Sequence, residues 1–376
     1  MRIVILVRIL WTAGAQKIAI QEAKELKRMG EDVTLVFLRR ANRLSGYDDI
    51  LEDVDYKILS DGKTSLFTTF YNYITRLFMP DRAGEGRIDL DLIRRFPKFA
   101  KELGANYVIC HDQWAGLAGY YAFRKYGINY SVFLHERLTA FTIPVLGRLA
   151  RYYERKVLSH ASKIFAITDK VGKSAKNTYN LNATTNLPGI VDNGMTLFEN
   201  KEDILLSVSM WDSGRHPETY LTLLEHIPNF KLHMAGNWRD SELRNNIREQ
   251  ITKMNLGRKV ILTEHLAESE LSNLYKTAKF LIRFGYGEYG LGTATLEALS
   301  YGLPLIVNSE LGTAEMIKLH GAGLVLDAES PEDIDVTDIV SFIDRNNNPG
   351  SYAALQKACK EIVSNNTWER HVLNLI

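Results

Sequence analysis

Residues 281–308 read LIRFGYGEYGLGTATLEALSYGLPLIVN and carry the strongest local signals in the chain. Residues 281–284 form a largely apolar run of strand length. Four glycines follow within eight positions, and good helix formers begin at Thr293 or Ala294. Gly302 and Pro304 then end the helix, and residues 305–307 form a second apolar run. The stretch therefore predicts a strand, a glycine loop, a short helix and another buried strand.

The glycine loop and the helix start have the chemistry of a phosphate site. Glycines let the backbone approach a ligand closely, and the first amides of a helix attract anions. A carboxylate one turn into the helix can accept hydrogen bonds from neighbouring sugar hydroxyls, or it can simply stabilise the helix start. The candidates are Gly290, Gly292, Thr293, Ala294, Thr295 and Glu297. A glycine-rich turn alone does not choose between a ligand site and an ordinary helix start.

A longer run, EYGLGTATLEALSYGLPLIVNSELGTAEMI, resembles the donor-site signature of glycosyltransferase family four, whose members are retaining GT-B enzymes. The second Glu of that signature matches Glu297, and the Gly-x-Pro step matches Gly302 and Pro304. Counting eight residues back for the first Glu gives Tyr289, while Glu288 lies one residue earlier. Either a one-residue bulge restores Glu288 or the position is Tyr289, and we favour Glu288.

Size and composition fit a two-domain soluble protein. The 376 residues are 45% hydrophobic and 24% charged, and the net charge of +1 argues against a nucleic-acid partner. Two cysteines, Cys110 and Cys359, are too few for a disulfide framework and fit a reducing compartment. The N-terminal apolar run is interrupted by Arg8 and is better explained as a strand than as a signal peptide. No run reaches the ~18 apolar residues of a membrane span, so we expect a cytoplasmic protein.

The first half opens with a strand–helix–strand pattern. Strands are predicted at 2–7 and 32–38, with a loop at 8–15 and a helix at 16–29 between them. This pattern predicts a parallel sheet. The dinucleotide and Walker fingerprints are missing. The loop WTAGAQK resembles the small-residue loop that family members place against the acceptor and the donor phosphate, which assigns that role to Ala13 and Gly14.

Three further predicted strands of the first half end in polar pairs. These pairs are His111-Asp112, His135-Glu136 and Thr168-Asp169. Ligands of open parallel sheets bind beyond the carboxyl ends of the strands, although a histidine there is often a structural hydrogen bonder. The family resemblance implies that His135 lies close to the transferred sugar.

Residues 65–80, SLFTTFYNYITRLFMP, have apolar side chains at helical spacing, and basic residues follow up to Lys101. The stretch predicts either a helix packed on the sheet or, over 65–101, a peripheral contact with an anionic membrane at its inner face. Asp89-Leu90-Asp91 resembles a metal-binding Asp-x-Asp motif. We interpret it as acidic capping of a helix at 93–99 and expect no metal.

The second half repeats the alternation of strands and helices after a turn-rich boundary near 187–194. Its first loop, SMWDSGRHPE, departs from the resemblance. Family members have an Arg and, five residues later, a Lys that neutralise the donor diphosphate, whereas this chain has Met210 and Arg215. Arg215 keeps the second cation, unless it is a solvated surface side chain. Gly236 follows the next strand, where the nucleotide is expected.

The resemblance implies an α/β protein with the GT-B fold, in which two Rossmann-like doubly wound domains face each other across a cleft. We expect an acceptor-side domain at 1–190, a nucleotide-sugar domain at 191–363, and a C-terminal helix near 364–376 that packs back on the first domain. The implied activity is retaining, metal-independent transfer of a sugar from a nucleotide-diphosphate donor to a sugar or lipid-linked acceptor, without a cofactor. His135, Glu288 and Arg215 would be the catalytic residues. A non-catalytic nucleotide- or sugar-binding protein, or another GT-B enzyme such as an epimerase, is the alternative.

Overall fold

The computed structural model describes residues 1–10, 14–40, 51–60, 69–70, 88–136, 138, 144–264, 266–287 and 290–376, with 144–147 described for the backbone only. The chain divides into two compact units. Unit 1 comprises Met1–Pro188 and Trp368–Ile376, and unit 2 comprises Gly189–Thr367. Most of the helix predicted at 65–80 lies outside the described residues.

Unit 1 is built on a seven-stranded parallel sheet with the order β3-β2-β1-β4-β5-β6-β7. Its strands are β1 Arg2–Leu10, β2 Asp32–Arg40, β3 Tyr56–Ile58, β4 Tyr107–His111, β5 Asn129–Leu134, β6 Lys163–Ala166 and β7 Thr184–Thr185. Its described helices are α1 Gly14–Arg28, α2 Leu90–Glu102, α3 Gln113–Tyr126, α4 Pro144–His160 and α5 Asp169–Tyr179. The C-terminal helix, Trp368–Leu375, packs against α1.

Unit 2 is built on a six-stranded parallel sheet with the order β10-β9-β8-β11-β12-β13. Its strands are β8 Glu202–Val208, β9 Lys231–Ala235, β10 Val260–Thr263, β11 Ala278–Arg283, β12 Leu305–Asn308 and β13 Gly323–Leu326. Its described helices are α6 Pro217–His226, α7 Ser241–Lys253, α8 Glu268–Thr277, α9 Thr293–Ser300, α10 Ala314–His320, α11 Val336–Asn346 and α12 Pro349–Asn365. The C-terminal helix Trp368–Leu375, which belongs to unit 1, is called α13. The prediction of two doubly wound parallel sheets is confirmed.

The central strand β11 is buried along its whole length. Burial on both faces is typical of a parallel strand covered by helices. The strand nevertheless carries two cations. Lys279 donates hydrogen bonds to Asp203 at 2.6 Å and to the side chain of Asn347 at 2.7 Å. Arg283 ends the strand and is 3% exposed.

The first strand is longer than predicted. We expected it to end at residue 7, but Ile9 and Leu10 continue the pairing with β2 and are buried. Arg8 does not end the strand because its Nε donates a 2.6 Å hydrogen bond to Asp112. The helix predicted at 16–29 accordingly begins at Gly14.

The interpretation of Asp89-Leu90-Asp91 as acidic capping is confirmed for Asp91, which lies in the first turn of α2, but is wrong for the Asp89 side chain. Helix α2 begins at Leu90 rather than at residue 93, and the Asp89 side chain makes no capping hydrogen bond. Its carboxylate instead accepts a 2.6 Å hydrogen bond from Arg39 Nε, and both side chains are almost fully buried. A buried charge is stable only when it is paired, and Asp89 pairs the buried charge of Arg39.

No helix in the described part of the chain combines the length and the apolar character that crossing a bilayer requires.

Candidate functional site

The sheet of unit 2 changes direction between β8 and β11. The chain runs outward from β8 through β9 to β10 on one side, and from β11 through β12 to β13 on the other. In open parallel sheets, ligands bind beyond the carboxyl ends of the strands at such a switch point. The candidate site is therefore formed by residues 209–216, which follow β8, and by 284–295, which follow β11.

The loop after β8 is anchored by aromatic side chains. Trp211 is fully buried, its backbone N–H donates to Asn237 O at 2.8 Å, and its ring stacks on Trp238. Residues Ser213–Arg215 form a 3-10 turn, and His216 takes a left-handed conformation before α6 begins. Arg215 is thereby placed immediately before a helix start.

Gly236, predicted to bind the donor, has a packing reason for being glycine. Its φ is +121°, and a Cβ atom there would lie 1.9 Å from Ser209 O. The loop after β8 therefore passes so close to the end of β9 that no side chain fits between them.

Two contacts join the ends of β8 and β11. The Phe284 backbone N–H donates to the Tyr220 hydroxyl at 2.9 Å, and the His216 and Tyr286 rings meet edge to face at 5.3 Å. Asn308 fixes the next residue, because its amide accepts from Gly285 N at 2.8 Å and donates to Gly285 O at 2.7 Å. The start of the glycine loop is thus held from both neighbouring strands.

Arg283 is the last residue of β11, and Arg215 ends the 3-10 turn in the loop after the neighbouring strand β8. Burial, and next the cation of Arg283, lower the pKa of Arg215 to about 10. Burial also lowers the pKa of Arg283. Both shifts show that positive charge is partly desolvated here, an environment that a bound anion would stabilise.

Sequence reasoning missed Arg283. Its only signal was a cation inside the run 281–284, which is otherwise apolar. The neighbouring position Met210 carries no charge, but Arg239 Nε lies 3.1 Å from its sulfur and Arg239 also pairs with Asp212 at 3.2 Å. The tertiary structure thus brings Arg239 and Arg283 close to Arg215, on the loop where the sequence has Met210 instead of Arg.

The helix α9 starts as predicted at Thr293, after Gly292 with φ +59°. The amides of Thr293 and Ala294 are the first of the helix and, as at every helix start, have no intrahelical acceptor. Thr295 differs, because its amide donates to Gly292 O at 2.8 Å and its fully buried hydroxyl donates to the same carbonyl. Thr295 therefore stabilises the loop from within.

Glu297 lies one turn along α9 and is partly exposed. Its Oε2 accepts a 2.9 Å hydrogen bond from the hydroxyl of Tyr275, which is buried on α8. The carbonyl of Gly290 accepts a 3.0 Å hydrogen bond from Gly312 N and so ties the glycine loop to the segment before α10. The predicted residues Gly290, Gly292, Thr293, Ala294 and Glu297 lie in the glycine loop and the first two turns of α9.

Some predicted residues lie elsewhere. Glu288, Tyr289 and Ala13 fall outside the described residues, so the choice between Glu288 and Tyr289 stays a prediction. Gly14 is the first residue of α1 and is partly buried. His135 follows β5 in unit 1 and hydrogen-bonds His111. Within the described ranges, no group of three His, Cys, Asp or Glu side chains is arranged to hold a metal ion.

Two family models match the chain. The model described as Glycosyl transferases group 1 matches residues 194–353, and the one described as Glycosyltransferase Family 4 matches residues 12–192. Mannosylfructose-phosphate synthase of Agrobacterium fabrum is 26% identical over 129 residues, a match that covers 33% of this chain and only 28% of that protein.

Solved structures share the fold. HepE of Anabaena, in complex with UDP and glucose, has a TM-score of 0.74 at 14% identity, with 100% of this chain and 97% of that chain covered. Sucrose-phosphate synthase of Thermosynechococcus elongatus has a TM-score of 0.74 at 15% identity, with 99% and 96% covered.

Proposed function

The chain belongs to glycosyltransferase family four and has the GT-B fold, and from this premise we propose that it transfers a sugar from a nucleotide-diphosphate donor to a sugar or lipid-linked acceptor. Transfer proceeds with retention of configuration and without a metal ion. The observation that carries the proposal is the pair of neighbouring cations, half-buried Arg215 and buried Arg283, at the switch point of the unit 2 sheet.

The proposed roles follow from where charge develops. When the anomeric carbon–oxygen bond breaks, negative charge grows on the departing diphosphate and positive charge grows on the sugar ring. Arg215, Arg283 and the amides of Thr293 and Ala294 stabilise the negative charge, as preorganised donors do in an oxyanion hole. Gly290 and Gly292 let the backbone approach the phosphates.

The other predicted residues hold the two ends of the donor. Glu297, oriented by Tyr275, accepts hydrogen bonds from the ribose hydroxyls. By the family resemblance, we assign Glu288 and His135 to contacts with hydroxyls of the transferred sugar. Gly14 leaves room for the acceptor or the phosphate at the start of α1, a role that the resemblance also assigns to Ala13.

A panel of nucleotide sugars tests the function. A donor that binds the native state raises the melting temperature in proportion to its affinity and concentration. We expect donors with one particular base and sugar to give the largest rise in melting temperature. Slow hydrolysis of that donor should release a sugar with the same anomeric configuration as the donor, which proton NMR measures. Product with the inverted configuration would exclude retention, and a panel without any stabilising or hydrolysed donor would exclude the function.

The lipid-linked acceptor is supported by a basic surface of unit 1. Helix α3 packs against both α2 and α4, so the latter two lie in one layer. Leu149 and Tyr152 of α4 are each 53% exposed. The same two helices carry six exposed basic side chains: Arg94, Arg95, Lys98, Arg148, Arg151 and Arg155. Cations around a few apolar side chains are typical of a surface that meets anionic lipid.

Vesicle co-sedimentation tests the membrane contact. We expect binding to vesicles that contain anionic lipid, weaker binding to neutral vesicles, and loss of binding in the Arg151→Glu/Arg155→Glu variant. The Lys253→Glu/Arg258→Glu variant makes the same charge change on exposed positions of unit 2 and is the matched control. Equal binding of both variants would exclude this surface.

A further inference from the structure

A buried network of one carboxylate and three histidines lies in unit 1. Glu22 on α1 is fully buried. One of its oxygens accepts a 2.7 Å hydrogen bond from His111 Nε2 at the end of β4, and the other accepts a 2.8 Å hydrogen bond from His371 Nε2 on α13. His111 Nδ1 lies 2.8 Å from His135 Nε2. The network therefore links the C-terminal helix, through Glu22 and His111, to His135.

The partners of His371 decide its protonation. Its Nδ1 lies 2.8 Å from the carbonyl oxygen of Leu187, and its Nε2 lies 2.8 Å from the carboxylate of Glu22. A carbonyl and an ionised carboxylate only accept hydrogen bonds, so both ring nitrogens must donate. Burial alone would raise the pKa of Glu22, but the positive charge beside the carboxylate and the hydrogen bonds from His111 and His371 outweigh it and lower the pKa to about 2. Glu22 and His371 are accordingly an ion pair.

The charge balance then decides His111. The negative charge of Glu22 is already matched by His371, and a second buried cation would be uncompensated. His111 is therefore neutral, with its proton on Nε2, from which it donates to Glu22. Its Nδ1 carries a lone pair, so the hydrogen bond to His135 requires a proton on His135 Nε2. Since the two ring planes differ by only 21°, the N–H of one can point at the lone pair of the other.

His135 is left with one ring nitrogen that carries no proton. It is partly exposed, and across the described ranges its Nδ1 has no hydrogen-bond partner. Burial of the imidazole lowers the pKa of His135 to about 3, so the ring is neutral at neutral pH. A neutral ring does not repel the positive charge that develops on a sugar during transfer. Phe133 packs among the three histidines, with ring centroids 4.9 to 5.7 Å apart, and restrains their orientations.

We propose that Glu22, His111 and His371 are positioning residues that hold His135 in the neutral Nε2–H tautomer, so that its Nδ1 accepts a hydrogen bond from a hydroxyl of the transferred sugar. The proposal rests on the proposed function, which places His135 at that sugar. The donor and acceptor pattern runs without a break from the Leu187 carbonyl to His135, across residues far apart in the chain. Reversing the hydrogen bond between His111 and His135 would require His111 to be a second buried cation beside His371.

Nitrogen-15 NMR of the full chain with labelled histidines tests the tautomer without any substrate. His135→Gln identifies the His135 signals by their loss. At neutral pH we expect a proton on Nε2 and none on Nδ1 of His135, and protons on both nitrogens of His371. A proton on Nδ1 of His135 would overturn the proposal even in an active transferase, whereas an inactive protein with the expected tautomer would contradict only the proposed function.

Two substitutions of His111 test the positioning role. The amide of Gln in His111→Gln can donate to Glu22 and accept from His135, whereas Leu in His111→Leu can do neither. We expect His111→Leu to give mixed His135 tautomers and to lower kcat by about 10-fold, the cost of roughly one hydrogen bond, while His111→Gln keeps the Nε2–H signal and most of the activity. Equal His135 spectra in the two folded variants would overturn the positioning role. If His111→Leu does not fold, loss of the His135 Nε2–H signal in His111→Gln would overturn it.

Discussion

The hydroxyl of Tyr275 donates a 2.9 Å hydrogen bond to Glu297 Oε2. Tyr275 is buried on α8, whereas Glu297 is partly exposed on α9, so a rigid donor orients one oxygen of an accessible carboxylate. The pKa of Tyr275 is raised by burial and then by Glu297, which keeps the hydroxyl protonated. A carboxylate fixed in this way loses less rotamer freedom when it binds two hydroxyls of a ribose.

Tyr275→Phe should weaken the affinity for the nucleotide by roughly 3- to 10-fold, because one orienting hydrogen bond is lost. Glu297→Ala should weaken it further. Titration calorimetry with the preferred nucleotide measures both. Tyr301→Phe is the matched control, since Tyr301 stacks on Tyr275 but its hydroxyl donates to Ser272. Unchanged affinity in Glu297→Ala would refute the ribose role.

Arg215→Ala should lower turnover by roughly 10²–10³-fold, the usual cost of removing one group that stabilises developing charge. The steady-state rate with the preferred donor is the measurement. Arg258→Ala removes an exposed arginine of the same unit and should leave the rate unchanged. Near-normal turnover in a folded Arg215→Ala variant would place Arg215 away from the diphosphate.

Arg283→Met removes the second cation while it keeps an unbranched side chain at the end of β11. We expect the affinity for a nucleoside diphosphate to fall by about 10-fold or more, since a hydrogen bond to a charged group contributes ~1.5–3 kcal/mol. The affinity for the nucleoside without phosphates should not change. Arg283→Lys restores the charge and should recover part of the binding. A parallel loss for the nucleoside and the diphosphate would show a structural role only.

Gly236→Ala should destabilise unit 2 severely. The φ of +121° disfavours any L side chain, and the new Cβ would meet Ser209 O at 1.9 Å. A strained backbone alone costs ~1–3 kcal/mol, and the clash adds to it. Gly257→Ala is the matched control, because a Cβ there meets nothing within 4 Å. Urea denaturation compares the two variants, and equal stability would mean that the loop after β8 moves freely.

Acid should destabilise unit 1 through its buried network. The pKa of Glu22 is lowered from 4.5 to about 2, so its contribution is present above 4.5 and is lost as the pH falls toward 2. The pKa of His135 is lowered from 6.5 to about 3, so the unfolded chain takes up a proton below 6.5 that the folded state refuses. Both effects lower the free energy of unfolding as the pH falls. Between pH 6.5 and 4.5, the free energy of unfolding should fall less steeply with pH in His135→Gln than in the wild type. Urea titrations at several pH values measure both slopes, and equal slopes would show that His135 does not contribute.

Local signals predicted the elements of unit 2 well. The apolar run 281–284 overlaps β11 Ala278–Arg283, and the helix predicted to begin at Thr293 or Ala294 is α9, which begins at Thr293. Gly302, expected to end the helix after the glycine loop, has φ +62°. These features depend on residues that are close along the chain. Arg8 and Asp89 were misjudged because their charges are neutralised by Asp112 and Arg39, which are distant in sequence.

By itself, the sequence determined the alternation of strands and helices, the glycine loop and the helix start at Thr293, because propensity, hydrophobic spacing and capping act over a few residues. Only the tertiary structure decided which polar groups meet: Arg283 with the loop that carries Arg215, Tyr275 with Glu297, and Glu22 with His111 and His371. Glu22 and His371 are 349 positions apart, and no local pattern records such a pairing. Folding brings these groups together because the parallel sheets and their covering helices fix the ends of distant segments side by side, where a buried charge is stable only beside its partner.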